Sequence, residues 1–471
     1  MIAPEFYSVL QQSFPYQLTL LQDIFLQKIA NFSTNNDVQD VFILKGYAGT
    51  GKTTLIASLV QQLPTIHKKS VLLAPTGRAA KVISNYAHKP AFTIHKKIYF
   101  PKKTARGVNF TLQTNKHKDT LFIVDEASMI SDNLVENYGG NASLLDDLMK
   151  YVYQGERCKL IFVGDGAQLP PVHFQESPAL ITATFERNYD KSAQAIELDE
   201  VMRQEEDSGI LFNATLIRAQ LREAFYESFM FDIADFKDIV RLQDGYDIQD
   251  ALMQAYSSQG LEETAFIVRS NKRANLYNQQ IRSRILFKES VLSVGDYLMV
   301  VKNNYYWLDA TDEAGFIANG DTIEVLEIYK NTSIYNLDFV QVKIRMIDYP
   351  NQKPFETILI LNTLSSETPS MNNEEANKFY QEVLLDYQDL PAYQRNEKVK
   401  NNEYFNALQI KFSYAMTCHK SQGGQWQTVF IEQPYLPNGI DQDYLRWLYT
   451  ALTRAKEKVY LIGFKDDSFL T

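Results

Sequence analysis

Cysteine is scarce in this chain. Only Cys158 and Cys418 occur in 471 residues, neither in a metal-ligand spacing, which argues against a disulfide framework or a zinc site. The six histidines are scattered and do not change that. Long apolar runs are missing too. No stretch approaches the roughly 20 residues that a membrane-spanning helix requires, and the opening MIAPEFYSVLQQSF lacks a basic segment followed by a hydrophobic signal core. The chain is therefore expected to reside in the cytoplasm, away from membranes. Positive charge is in deficit, 47 Lys and Arg against 57 Asp and Glu for a net charge of −10, which weighs against nucleic-acid binding by bulk charge. No fixed-period repeat is apparent.

What the chain does have is material to bury. With 45% hydrophobic and 22% charged residues it has a soluble globular composition, and its length suggests about two to four domains. Residues 45 to 54 read KGYAGTGKTT directly after Val41-Phe42-Ile43-Leu44. Gly46, Gly51, Lys52 and Thr53 satisfy G-x-x-x-x-G-K-[ST], with Gly49 inside the loop and Thr54 after it, between a strand and the helical TLIASLVQQL. In such a loop the glycines let backbone N–H groups face phosphate oxygens, Lys52 neutralises charge, and the Thr53 hydroxyl can ligate Mg²⁺.

Two further strands end on polar groups. Leu121-Phe122-Ile123-Val124 runs into Asp125-Glu126, where Asp125 can reach the metal and Glu126 the attacking water; a pair of acids favoured at a helix N-terminus is the structural alternative. KLIFVGD leads to GDGAQLPPV at residues 164 to 172. Gln168 there can carry an amide to the γ-phosphate or be a solvated turn residue. Charge is also distributed unevenly. Lys96, Lys97, Lys102, Lys103, Arg106, Lys116 and Lys118 fall in an interval without acids and with Tyr99, Phe100 and Phe110 among them. That pattern fits either a surface that tracks a phosphate backbone and stacks bases, or an ordinary solvated hairpin.

Taken in order, these segments resemble a superfamily 1B DNA helicase of the RecD and Dda type. Leu18-Thr19 with Gln22 resembles the adenine-recognising glutamine motif, APTGRAA at 74 to 80 motif Ia, and Thr93-Ile94-His95 the next DNA-contact motif. DEAS and GDGAQLPPV resemble motifs II and III, VMRQ at 201 to 204 motif IV, MTCHKSQGGQW at 416 to 426 motif V, and YTALTRAKEKVYLIG at 449 to 463 motif VI. SNKRANLYNQQIR at 270 to 282 resembles a second-domain segment of the same family. The resemblance implies ATP and Mg as cofactors, with Lys52, Glu126, Gln168, Arg203 and Arg454 as catalytic residues, the two arginines acting as fingers from the second domain. It also implies DNA contacts at Pro75, Thr76, Thr93 and His95 in the first domain and at Asn271, Thr417 and His419 in the second, with Thr93 alternatively a helix cap and His419 a buried histidine. Phe110 is the expected wedge of a strand-separating pin, or a staple holding the hairpin to its domain.

The implied fold is α/β, with two RecA-like parallel-sheet motor domains, an inserted pin hairpin and an SH3-like β-barrel insertion. The first motor domain is placed at 1–195 with the pin at 95–119. The second is placed at 196–291 and 405–471, split by a barrel and helical arm at 292–404. The expected activity is ATP-driven 5′ to 3′ translocation on single-stranded DNA with duplex unwinding, by a monomer at a duplex fork, with single-strand-binding or replication and repair proteins as candidate partners. Roles in DNA repair and recombination accompany that activity in the family. Two alternatives stay open: an ATP-dependent single-stranded DNA clamp or translocase without processive unwinding, and a small-molecule P-loop NTPase.

Overall fold

The computed structural model describes all residues except 36–39, 105–106, 134–142, 201–207, 225, 310–311, 313 and 471, without the side chains of 101–104, 107–110 and 393. The first domain contains β1 (Val41–Gly46), β2 (Lys69–Ala74) and β3 (Ala91–Thr93), a hairpin of β4 (Tyr99–Thr104) and β5 (Gly107–Leu112), then β6 (Thr120–Val124), β7 (Lys159–Gly164) and β8 (Ala193–Leu198). Apart from the hairpin, the strands form one sheet in the order β3-β2-β6-β7-β1-β8, every pair parallel. Strands β6 and β7 are buried throughout, and β1 everywhere but Lys45. This is why they read as unbroken apolar runs rather than alternating ones. Phe42 and Leu44 face the helices Ala3–Ser13, Leu20–Thr34 and Lys52–Gln62, while Val41 and Ile43 face the helix Leu144–Tyr153.

The sequence boundary at 195 falls inside β8. Ile196 and Leu198, expected to open the second domain, instead belong to the core beneath the first sheet, because β8 pairs with β1 along its whole length. The second domain contains β9 (Ile239–Leu242) and β10 (Thr264–Val268), and resumes after the barrel with β16 (Ala415–Thr417), β17 (Trp426–Glu432) and β18 (Ala455–Ile462). Before these come the barrel strands β11 (Tyr297–Val300), β12 (Thr322–Ile334), β13 (Leu337–Met346), β14 (Phe355–Ile360) and β15 (Leu408–Phe412). The second sheet runs β16-β10-β17-β18-β9, again all parallel.

The barrel closes in the order β11-β12-β13-β14-β15. Its long β12–β13 hairpin turns at Tyr335 and Asn336, with φ of 56° and 58°, the left-handed pair that a tight two-residue turn needs to match strand twist. The fifth strand lies beyond the expected barrel boundary at 404. Leu408–Phe412 pairs with both β11 and β14, and without it the sheet would keep two open edges. Helices Asn373–Leu385 and Ala392–Lys400 form the arm, packing Phe379, Val383 and Val399 on Phe339, Ile358 and Ile360 of the barrel. Among the described residues no helix is long and apolar enough to cross a membrane.

Candidate functional site

The carboxyl ends of β1, β6 and β7 converge on the side of the first sheet that faces the second domain. Beyond β1 the chain passes through Gly49 and Gly51 with φ of 76° and 78°, a conformation glycine adopts without a Cβ clash, and the helix Lys52–Gln62 begins. The turn is tight enough that a Cβ on Gly46 would lie 2.8 Å from Thr50 Oγ1. Lys52 curls back over the loop, its Nζ donating to the Tyr47 carbonyl at 2.6 Å, and the Thr50 hydroxyl donates to the same oxygen at 2.8 Å. Thr53 and Thr54 occupy the half-buried first turn. Backbone amides at a helix N-terminus with a lysine above them favour an anion. Gln22 braces this loop from behind: its Oε1 accepts from Thr19 N–H at 3.1 Å and its Nε2 donates to the Thr50 carbonyl at 3.0 Å.

Asp125 and Glu126 follow β6. Glu126 has φ of 52°, sparsely populated for a residue with a side chain and typical of functional positions, and its N–H donates to Asp125 Oδ1 at 2.9 Å. Burial first, then the neighbouring Glu126 charge, push the Asp125 carboxyl up, against the opposing pull of Lys52. A second carboxylate alongside disfavours ionisation of the first. Among the described residues there is no group of three or more His, Cys, Asp or Glu able to hold a metal.

The second domain closes this edge. Arg454, 2% exposed, donates to the carbonyls of Thr450 and Gly424 at 3.1 and 3.2 Å and to Thr453 Oγ1 at 3.3 Å, while its Nη1 lies 3.8 Å from Glu126 Oε1. From the helix that ends just before Arg454, Gln442–Leu452, the Tyr449 hydroxyl donates to Asp165 Oδ2 at 2.7 Å and accepts from Ala48 N–H at 2.9 Å. Tyr47 crosses in the other direction, its ring 4.4 Å from the Arg218 guanidinium and its hydroxyl on Glu197 at 2.6 Å. Tyr47, Ala167 and Leu169 of the first domain belong to the second domain's core cluster, so the cleft is closed by packing as well as by polar bonds. Gln168 is buried in it, and its Oε1 has no hydrogen-bond partner among the described residues.

Comparison with known proteins bears on this cleft directly. An AAA domain profile matches residues 27–228 and a UvrD-like helicase C-terminal domain profile matches 412–462, so the two walls of the cleft are matched separately. The ATP-dependent DNA helicase dda of Enterobacteria phage T4 is 24% identical over 448 positions, 89% of this chain and 93% of that protein. These matches support a superfamily 1B helicase of the RecD and Dda type. The RecD subunit of the RecBCD enzyme from Buchnera aphidicola (Schizaphis graminum) is 22% identical over 95% of the chain and 75% of its own length. An uncharacterized protein of Acanthamoeba polyphaga mimivirus is 25% identical over 93% and 98%.

The expected DNA contacts stand at or beside the starts of four helices. Thr76 caps the helix Gly77–Ala87, its Oγ1 accepting from Ala79 N–H at 3.2 Å, and Pro75 precedes it. Across the cleft Gly423, within motif V, approaches so closely that a Cβ there would lie 2.9 Å from Thr76 Oγ1. Thr93 is buried and caps Ile94–Ile98 by accepting from Lys96 N–H at 3.2 Å. Burial lowers the His95 imidazole to about 4, leaving it neutral. Thr417 makes no side-chain cap bond at the start of Cys418–Ser421, and the His419 imidazole is pushed down by partial desolvation first and then by the Arg269 charge. Asn271 opens the helix Asn271–Gln280.

Phe110 stands on β5 opposite Pro101, and its side chain lies outside the described residues, as does all of Arg203. The sequence reading gave no role to Asp165, Tyr449 or the Arg78–Trp426 stack, in which the guanidinium lies 4.6 Å from the ring. Asp165 and Tyr449 do stand inside quoted motifs. Nothing local, however, indicates that residues 284 positions apart share a hydrogen bond.

Proposed function

We propose that the chain hydrolyses Mg-ATP between its two parallel-sheet domains and uses the cycle to move 5′ to 3′ on single-stranded DNA and unwind duplex at a fork. The observation that carries this reading is the 3.8 Å approach of Arg454, from the second domain, to Glu126 of the first. A cation contributed from across the cleft makes hydrolysis depend on domain closure, and closure is what can be converted into movement. Lys52 neutralises the phosphate charge and Glu126 orients or deprotonates the attacking water. Gln168 directs its amide at the γ-phosphate. Arg454, and by resemblance Arg203, offset the charge of the transferring group, an effect of about 10³–10⁵ in rate.

Thr53 and Asp125 would hold Mg²⁺: a hydroxyl and a carboxylate are ligands that suit a hard cation, and the Asp125 carboxyl is crowded by that of Glu126. When bound, the ion supplies charge neutralisation between the terminal phosphates. Gln22 supports the phosphate loop from the position proposed for adenine recognition. For alternating grips on the strand we propose Pro75, Thr76, Thr93 and His95 in the first domain and Asn271, Thr417 and His419 in the second. Phe110 is the proposed wedge at the fork, where stacking worth about 1–3 kcal/mol per base is comparable with one base-pair step. The polarity is carried by family resemblance, as is a monomeric motor.

The test is ATP turnover with and without single-stranded DNA, beside unwinding of duplexes carrying either a 5′ or a 3′ tail. DNA-stimulated turnover with unwinding from the 5′ tail alone is expected, and Lys52→Ala should abolish it. Turnover indifferent to DNA would favour the small-molecule NTPase. Stimulated turnover without unwinding would favour the clamp or simple translocase.

A further inference from the structure

We infer that Tyr449 is a positioning residue through which closure of the two motor domains sets the loop that carries Gln168. This rests on reading the cleft as the ATP-hydrolysing site. Tyr449 is 1% exposed, and its hydroxyl serves two segments of the opposite domain at once, Asp165 Oδ2 at 2.7 Å and Ala48 N–H at 2.9 Å. One proton and two lone pairs allow this. The phosphate loop and the loop after β7 are thereby tied to each other by an oxygen that neither of them owns.

The bonds around Gln168 continue from that point. Asp165 Oδ1 accepts from Ala167 N–H at 2.9 Å, and the Asp165 carbonyl accepts from Gln168 N–H at 3.3 Å. The neighbouring helical residue then takes up the next amide, with Leu169 N–H donating to Thr450 Oγ1 at 2.8 Å. Consecutive residues of one helix in the second domain therefore fix the loop on both sides of Gln168. Its own Oε1 stays buried with no hydrogen-bond partner among the described residues, and a buried polar atom left so needs a reason. The loop holds that amide ready, and holds it only while the helix is docked. Burial and the Asp165 charge push the Tyr449 phenol well above its ordinary value, so it remains a donor at working pH.

Tyr449→Phe removes the hydroxyl and keeps the ring. The expected result is a fall of about 10- to 100-fold in kcat for DNA-stimulated ATP turnover, the scale of a lost hydrogen bond to a charged group, with KM for ATP and affinity for single-stranded DNA within about threefold. Asp165→Asn approaches the same bond from the other domain and serves if Tyr449→Phe does not fold. Residues acting through one bond should not add, so the double variant is expected to be no slower than the slower single. Wild-type kcat in Tyr449→Phe, fully additive losses, or a rise in KM at constant kcat would each overturn the inference. Arg454→Ala separates the two levels. If it abolishes turnover while Tyr449→Phe does not alter it, only the positioning role fails; if wild-type turnover ignores DNA, the motor reading fails and takes this inference with it.

Discussion

Replacing Gly423 with alanine should stop ATP turnover without unfolding the protein. Gly423 has φ of 73°, and a Cβ there would lie 2.9 Å from both Thr76 Oγ1 and Ala79 Cβ, with Ala79 Cα at 3.7 Å. The left-handed conformation alone costs about 1–2 kcal/mol for a residue with a Cβ. Contact is the larger consequence. Ala79 Cβ cannot rotate away, and Thr76 Oγ1 is committed to the cap on Ala79 N–H, so relief requires the two domains to separate by about 0.6–1 Å to reach ordinary carbon contact distance. A displacement of that size between groups that must act together can reduce turnover by about 100-fold, because it draws Arg454 away from Glu126. Gly439→Ala provides the control: its φ is 81°, but nothing lies within 4 Å of an added Cβ. Denaturant unfolding and DNA-stimulated ATP turnover should be measured on both variants. Both should lose about 1–2 kcal/mol of stability, and only Gly423→Ala should lose turnover. Equal turnover in the two variants would refute the argument from contact.

Lys411 is 5% exposed, and burial first, with the Lys420 charge second, lowers its pKa to about 8. Between there and the ordinary value of about 10.4 the unfolded chain holds the extra proton, so wild-type stability rises with pH across that window. Lys411→Met removes the titrating group together with its bond to the Ser366 carbonyl, so its stability should lack that rise and fall relative to wild type between about pH 8 and 10; urea melts whose difference from wild type stays flat across that window would count against it. Phe110→Ala should keep DNA-stimulated ATP turnover and lose unwinding of a forked duplex, and equal loss of both would point to a folding defect instead.

Much of the site was legible because its signals are local. A buried parallel strand followed by G-x-x-x-x-G-K-T announces its own loop and helix, and Asp125-Glu126 after Leu121–Val124 needs only the strand end to be placed. The arm helix beginning at Asn373 carries a capping box between Asn372 and Glu375, which folds as written. Register between distant segments is different. Ile196 and Leu198 look the same whether they open a new domain or edge an old one, and the choice is made by β1, which lies about 150 residues upstream. Leu408–Phe412 likewise becomes a barrel strand only because β11 and β14 offer it two edges. The Asp165–Tyr449 bond spans 284 positions and leaves no periodic trace.

That fifth barrel strand also limits how the chain can be re-engineered. Between β15 and β16 only Ser413 and Tyr414 intervene, and both are tied back to the barrel: Ser413 N–H donates to the Tyr297 carbonyl, and the Tyr414 hydroxyl donates to Asp296. Leu298, Val300 and Ile410 of the barrel share one apolar cluster with Phe266, Val268 and Phe430 of the motor sheet. The barrel is thus no detachable cassette. A chimaera exchanging residues 292–404 would leave a four-stranded fragment searching for its last edge, whereas one carrying Leu408–Phe412 with it would replace the strand that leads directly into β16 and Thr417. Any graft of a foreign barrel must rebuild both partners of that junction together.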